Sequence, residues 1–345
     1  MSDMLRMRRR NVSALAAIAC LVVVAVAAVP ADAAGKGNKW ISLRYNFKPG
    51  EKLEYAVTRT ESGTAVVSVG GNKQEVPSSA KTTMNIAYDV LEVDPQGTAT
   101  VKLTLDEINI ESQSMGTSVN IKVGATGVKV YSGGMLVLDL GQIGGTEDLP
   151  ISEMLGLGAM PEGVQLADLF GKGVRVTVTR LGEMAIPGTA ESSLGMLEGF
   201  QFDTLTAKLV RPGDTWERDL PFPGVDKEQI ESHGLKVVQI FEGIEDFDGR
   251  RCAKIVSKVD VDCSDLYSEQ DLAAGMKMLK LRGEGITYLD IETGRWLKAT
   301  GEFVQDVQGV QTAGLQALMG GAASPGATVE VRASSKVLTE MVLKE

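Results

Sequence analysis

Leu43-Arg44-Tyr45-Asn46-Phe47-Lys48-Pro49-Gly50-Glu51-Lys52-Leu53-Glu54-Tyr55-Ala56-Val57 decides the fold. Leu43, Tyr45 and Phe47 alternate with polar residues, Lys48-Pro49-Gly50 supplies a turn, and Leu53, Tyr55 and Val57 alternate again. A period of two puts the apolar side chains on one face of an extended chain, the pattern of a half-buried antiparallel strand. The same period recurs outward at Met84/Ile86/Tyr88/Val90, Val101/Leu103/Leu105, Val119/Ile121/Val123, Val174/Val176/Val178, Leu205/Ala207/Leu209 and Val259/Val261. Turn chemistry separates these runs at Gly70-Gly71-Asn72, Asp94-Pro95-Gln96-Gly97, Asp248-Gly249 and Glu292-Thr293-Gly294. The expectation is an all-β chain with minor helices. A helical turn is predicted over 165–170, and a longer helix over 268–280, where Ser268 and Asp271 fit a capping box and Leu272, Met276 and Leu279 share a face.

Two halves look related. Lys48-Pro49-Gly50-Glu51 with Glu54 recurs as Arg211-Pro212-Gly213-Asp214 with Glu217, and each is followed by a strand, an acidic turn and another strand. One reading is a duplication that gives two related, curved antiparallel sheets or half-barrels around a shared site. The other is that Pro-Gly and Asp-x-x-Gly turns recur in any β protein. The expected organisation is a signal peptide at 1–33, an N-terminal β half at 34–140, a Gly/Met-rich crossover at 141–204, and a C-terminal β half at 205–345 with a flexible tip at 311–327.

The leader is an address. Arg6, Arg8, Arg9 and Arg10 precede an apolar run from Val12 to Val29, and Ala31-Asp32-Ala33 fits a signal-peptidase site. Uncleaved, those apolar residues could just span a bilayer, but Pro30 and the Ala-x-Ala pattern favour removal. The mature chain is expected outside the cytoplasm, in a bacterial periplasm or secreted, with no membrane span left. The chain has 345 residues, 35 basic and 45 acidic, for a net charge of −10. That balance opposes binding to nucleic acid or anionic membranes, which need a positive footprint.

Chemistry-bearing residues are sparse. The single histidine, His233, lies in the turn-like Glu231-Ser232-His233-Gly234 and cannot build a multi-His metal site. No nucleophile elbow or phosphate loop is present, so no catalytic residue, metal or cofactor is assigned. Cys252 and Cys263 read as the two ends of one strand; eleven steps at about 3.3 Å separate them by roughly 36 Å, and they differ in parity. That argues against a Cys252–Cys263 bridge, and both read as buried small apolar residues. Asp260, Asp262 and Asp265 read as a solvated strand face, and Trp40, Trp216 and Trp296 as core plugs rather than sugar platforms. Met154, Leu155, Leu157 and Met160 lie in a Gly/Leu/Met segment that suits a flap over an apolar ligand or, alternatively, a plug for the open end of a barrel.

The strand-turn-strand from Tyr288 through Asp290, Glu292 and Gly294 to Trp296 resembles a hairpin of bacterial envelope carriers of lipids and lipoproteins, which have an incomplete barrel covered by helices. The opening Leu43–Tyr55 stretch, with Arg211-Pro212-Gly213-Asp214-Thr215-Trp216, resembles an uncharacterised family of secreted bacterial all-β proteins, a domain of unknown function. The second resemblance spans most of the mature chain, and neither supplies site residues. The expected function is non-catalytic binding, with a lipid, another apolar small molecule or an envelope protein held in a concave sheet. The alternatives are a structural or interaction module with a self-filled core and, ranked last, a carboxylate-based hydrolase.

Overall fold

Alternation of this length demands long ladders, and the computed structural model contains them. It describes residues 40–69, 72–114, 116–139, 141, 166–187, 202–220, 227–267, 277–312 and 328–344. Of the described residues 70% are strand and 4% helix, and the antiparallel sheet they form does not close into a barrel.

A first meander comprises β1 (Lys52–Val69), β2 (Asn72–Val93), β3 (Ala99–Ser114), β4 (Thr117–Gly124), β5 (Gly127–Ser132) and β6 (Met135–Asp139). The short helix α1 (Leu166–Leu169) and strands β7 (Val174–Val178) and β8 (Met184–Ala185) follow. A second meander comprises β9 (Thr215–Asp219), β10 (Lys236–Phe247), β11 (Arg250–Asp262), β12 (Lys277–Asp290), β13 (Arg295–Thr312) and β14 (Thr328–Leu343), with helix α2 (Lys227–Ser232) between β9 and β10. The strand order is β6-β5-β4-β3-β2-β1-β14-β13-β12-β11-β10-β9. The two halves are thus one continuous sheet, fused where β1 pairs with β14. Strand β3 is long enough to hold two neighbours end to end, with β7 on Ala99–Leu103 and β4 on Glu107–Ser114.

The repeated turn motif folds the same way twice. Lys48 N donates to Glu51 Oε2, Glu51 N to Lys48 O, and Gly50 N to Val90 O, while Val90 N returns a bond to Glu51 O. Arg211 N donates to Asp214 Oδ2, Asp214 N to Arg211 O, and Gly213 N to Phe241 O, while Phe241 N returns a bond to Asp214 O. In each, a carboxylate closes the turn and a glycine at positive φ (79° and 95°) clips it to the next hairpin. Asp248 and Gly249 both have positive φ (52° and 72°), as a tight hairpin between β10 and β11 requires.

Four expectations change. Residues 42–48 alternate in burial, with Leu43, Tyr45 and Phe47 inside, yet they form no ladder. Their backbone partners lie elsewhere: Ile41 pairs with Val210, Tyr45 N donates to Arg180 O, and the Arg44 guanidinium binds the carbonyls of Thr206 and Ala207. Residues 205–209 form no strand for the same reason, and Leu209 is exposed. Lys277–Lys280 belong to β12, not to a helix, because they pair with β13; residues 268–276 lie outside the described residues. Gln311 and Thr312, expected in the tip at 311–327, continue β13 opposite Val329 and Thr328 because they complete its ladder with β14; residues 313–327 lie outside the described residues.

The sheet curls so that both meanders share one core, which includes Val123 and Val128 from the first and Phe241 and Ile255 from the second. At its centre Phe202 packs against Tyr45, Phe47, Tyr88 and Trp296, with ring centroids 5.0–5.6 Å apart. Each such side chain contributes roughly 1.5–3 kcal/mol by leaving water. A second core of Leu220, Ile230, Leu235, Val237, Val259, Val261, Cys263, Leu281, Phe303 and Val337 fills the far end of the second meander. The opposite face is solvated and carries cross-strand ion pairs such as Lys258–Glu284, Lys336–Glu302 and Arg282–Asp260.

Candidate functional site

Parity from Leu53, Tyr55 and Val57 carries the inner face of β1 onward to Arg59 and Glu61. Backbone register extends each position into a row across the sheet. The Arg59 row runs through Thr82, Ile110, Ile121 and Val130 in the first meander. In the second it runs through Thr339, Gly301, Gly285, Ser257 and Gln239 to Trp216. The Glu61 row runs through Ala80, Ser112, Val119 and Ser132 on one side and Val337, Phe303, Gly283, Val259 and Val237 on the other.

The same rows are filled differently. In the second meander, Thr339, Gly301, Gly285, Ser257, Gln239, Val337, Phe303, Val259 and Val237 are buried. In the first, Thr82, Ile110, Ile121, Val130, Ala80, Ser112, Val119 and Ser132 are all only half-buried. Beneath them Met84 is also half-buried, whereas Ile108, Val123 and Val128 are closed in. The first meander therefore presents a partly open, apolar and small-polar inner surface.

A charged pair stands at the seam between the meanders. Arg59 Nη2 lies 3.2 Å from Glu61 Oε2, with side chains 8% and 19% exposed. Glu61 Oε1 accepts from Gln305 Nε2 at 3.0 Å and from Ser335 Oγ at 2.7 Å, so both meanders contribute to the cluster. Three donors on one carboxylate make it a structural acceptor rather than a free acid or base. A second pair, Arg218–Asp203 at 3.7 Å, lies toward the other end, where Asp203 also accepts from Thr287 Oγ1 at 2.8 Å. The Gln239 side chain is fully buried, and among the described residues neither of its amide atoms, nor Thr339 Oγ1 or Arg218 Nε, has a hydrogen-bond partner.

The residues singled out from sequence are scattered. Met154, Leu155, Leu157 and Met160 lie outside the described residues, as does the leader. His233 is exposed after α2, its Nδ1 3.1 Å from Ser232 Oγ. Cys252 and Cys263 are free thiols near opposite ends of β11, both buried. Burial pushes their thiols up to about 11 and about 12. Asp260 pairs with Arg282 and Asp262 with Lys280, on a wet strand face. Trp296 is a core plug, but Trp40 is exposed beneath the Arg211 guanidinium, 5.1 Å from its ring centroid. Among the described residues no group of three or more His, Cys, Asp or Glu side chains could hold a metal ion, and no helix is long and apolar enough to cross a membrane.

Sequence reasoning missed Arg59, Glu61, Gln239, Ser257, Gln305, Ser335 and Thr339. A signal was present at Thr58-Arg59-Thr60-Glu61-Ser62, where alternation gives way to polar residues of both parities inside a strand. Two surface hollows are separate from this face. One, of about 290 Å³, is lined by Lys52, Glu54, Asp89 and Lys102, which pair among themselves; the other, of about 430 Å³, lies beside Trp40 and Leu209.

No protein-family model matches the chain, and no curated protein matches it in sequence. Among solved structures it is similar to lipovitellin, in a structure reported for its lipid–protein interactions, at 12% identity and a TM-score of 0.36 over 87% of this chain. The chain spans about a quarter (26%) of that chain. It is also similar to a DUF1329 family protein from Desulfovibrio piger, at 8% identity and a TM-score of 0.12, covering 80% of this chain and 83% of that one.

Proposed function

We propose that the protein is a non-catalytic binding protein that works outside the cytoplasm and holds an amphipathic small molecule on the inner face of its first meander. The apolar body lies on Met84, Ile110, Ile121 and Val130, and the polar end points toward the Arg59–Glu61 seam. The observation that carries this reading is the contrast in filling along shared rows, buried in the second meander and half-open in the first. The strip spans β2 to β5, about 14 Å at about 4.8 Å per strand. That width suits a single hydrocarbon chain lying across the strands. The Arg-rich leader supports export, and the hairpin resemblance to envelope lipid carriers agrees with it. Residues 154–160 are the proposed cover. The matched turns and tandem six-stranded meanders support reading the halves as copies of one unit, of which the first keeps its face for ligand.

The test is a mass measurement on protein purified from a bacterial envelope. A mass above that of the polypeptide under native conditions, lost on denaturation and absent from Ile121→Asp, supports binding. A bare polypeptide mass favours the self-filled module. A second reading, an envelope protein adding a strand at β6, rests on the exposed Met135, Leu136 and Val137 of that edge strand. It predicts co-purification of a protein partner that Val137→Lys removes.

A further inference from the structure

We propose that the surface around Trp40 and Leu209 docks the protein on an anionic lipid bilayer, with both apolar side chains entering the interface and Lys208 and Arg211 meeting its phosphates. The inference does not use the inner face of the first meander. Ile41 and Val210 exchange backbone bonds in an isolated bridge, and Val210 is buried. Alternation on either side of that bridge turns Trp40, Leu209 and Arg211 the other way, toward water. Trp40 is 51% and Leu209 56% exposed. Single exposed apolar residues are ordinary, but these two border one hollow of about 430 Å³, together with Lys208, Thr206 and Thr215. That volume is in the range of small-molecule sites.

Charge selects the partner. Elsewhere on the surface cations are set against carboxylates, as in Lys258–Glu284 and Lys336–Glu302. Here, among the described residues, Arg44, Arg180 and Lys208 make no ion pair. The carbonyls of Thr206 and Ala207 hold the Arg44 guanidinium and satisfy its bonds without cancelling its charge. Burial and then the nearby Arg180 charge lower Arg44 from the usual arginine range, so like charges gather beside this segment. Asp214, which also lines the hollow, is turned to Arg211: its Oδ1 lies 3.5 Å from the guanidinium Nε, and its Oδ2 accepts from the Arg211 backbone N. The Arg211 guanidinium in turn lies over Trp40, 5.1 Å from the ring centroid, which sets a cation beside the aromatic face.

A bilayer surface takes this combination. Tryptophan settles at the head-group level, its ring toward the apolar boundary and its N–H in the wet layer, and neighbouring Lys and Arg are drawn to anionic phosphates. The net charge of −10 repels the chain as a whole from such a surface. At physiological salt, charges more than about 8 Å away are largely screened, so the local cluster sets the sign at contact.

The experiment floats envelope-purified protein with vesicles of phosphatidylcholine alone and of phosphatidylcholine mixed equally with phosphatidylglycerol. Wild type is expected to bind the anionic vesicles about tenfold more tightly or better, and to lose that binding as salt is raised. Trp40→Ala and Lys208→Glu should each weaken it about tenfold. Lys258→Glu, the same charge change on the solvated face of the second meander, should leave it intact. Brominated phospholipid should quench part of the tryptophan emission of wild type and none of that of Trp40→Phe. The side chains changed are exposed, so every variant should melt as wild type does. Equal binding to both kinds of vesicle, no binding, an unchanged Trp40→Ala, or a loss in Lys258→Glu as large as in Lys208→Glu overturns the proposal. So does a dimer that Leu209→Ser dissociates in place of vesicle binding, which assigns the patch to a second copy of the chain. None of these results bears on the Ile121→Asp comparison, so failure here leaves the binding reading standing.

Discussion

The two meanders share their wiring and differ in what lies on it. Each opens on a carboxylate-closed Pro-Gly turn bonded to its second strand, and each runs through six strands in the same order. On the Glu61 row the second meander places Val337, Phe303, Val259 and Val237, and these join Leu220, Leu235 and Cys263 in a closed core. The first places Ala80, Ser112, Val119 and Ser132 on that row and leaves them half-exposed. Backbone pairing sets where a side chain points, and side-chain volume then sets whether the face is filled or free to take a ligand.

The largest test of this contrast is truncation on matched rows. Phe303→Ala should cost roughly 3–5 kcal/mol in urea unfolding, as a buried aromatic does, whereas Ile110→Ala in the half-open face should cost about 1 kcal/mol. Equal losses would erase the distinction. Next comes the seam. Glu61→Gln removes a carboxylate that accepts from Arg59, Gln305 and Ser335, and should cost about 2 kcal/mol. If the pair serves only the first meander, hydrogen exchange should speed up in β1 and not in β13 and β14.

Smaller effects separate the hairpins. Gly249 has φ 72° and open space where a Cβ would go, so Gly249→Ala should cost about 1 kcal/mol from backbone strain alone. Gly97, at φ 86°, has the Arg180 side chain where a Cβ would go, and Gly97→Ala should cost more. In acid, Asp290 reports on the second meander. Burial alone would raise its carboxyl, but bonds from the Thr293 hydroxyl and the Glu292 and Thr293 amides, with Arg250 nearby, leave it below the ordinary value. Its contribution is therefore present above about pH 4 and lost as the pH falls through the lowered folded value. Asp290→Asn should be less stable than wild type at neutral pH, with the gap closing toward pH 2. Last, thiol reagents should leave Cys252 and Cys263 unlabelled until unfolding, since burial pushes both thiols up.

Much of the fold was legible because alternation is a local signal. The Met84–Val90 and Val101–Leu105 runs predict β2 and β3, and Asp248-Gly249 predicts a tight turn. Leu43–Phe47 shows the limit: alternation reports a buried face, and that segment satisfies it by lying on the core while its amides bond elsewhere. The single continuous sheet was not legible, because the β1–β14 pairing joins residues almost the full chain apart. The candidate site was hidden for the same reason. Gln239, Gln305 and Thr339 read as unremarkable polar residues in strands until register brings them onto the inner face with Arg59 and Glu61.

The most direct measurement is the native mass spectrum of the envelope-purified protein beside its Ile121→Asp variant and a second-meander control, Val304→Asp, on the solvated face. The account predicts a releasable adduct on wild type and on the control, and none on Ile121→Asp. An adduct that survives Ile121→Asp in folded protein, or a bare polypeptide in all three, would contradict it.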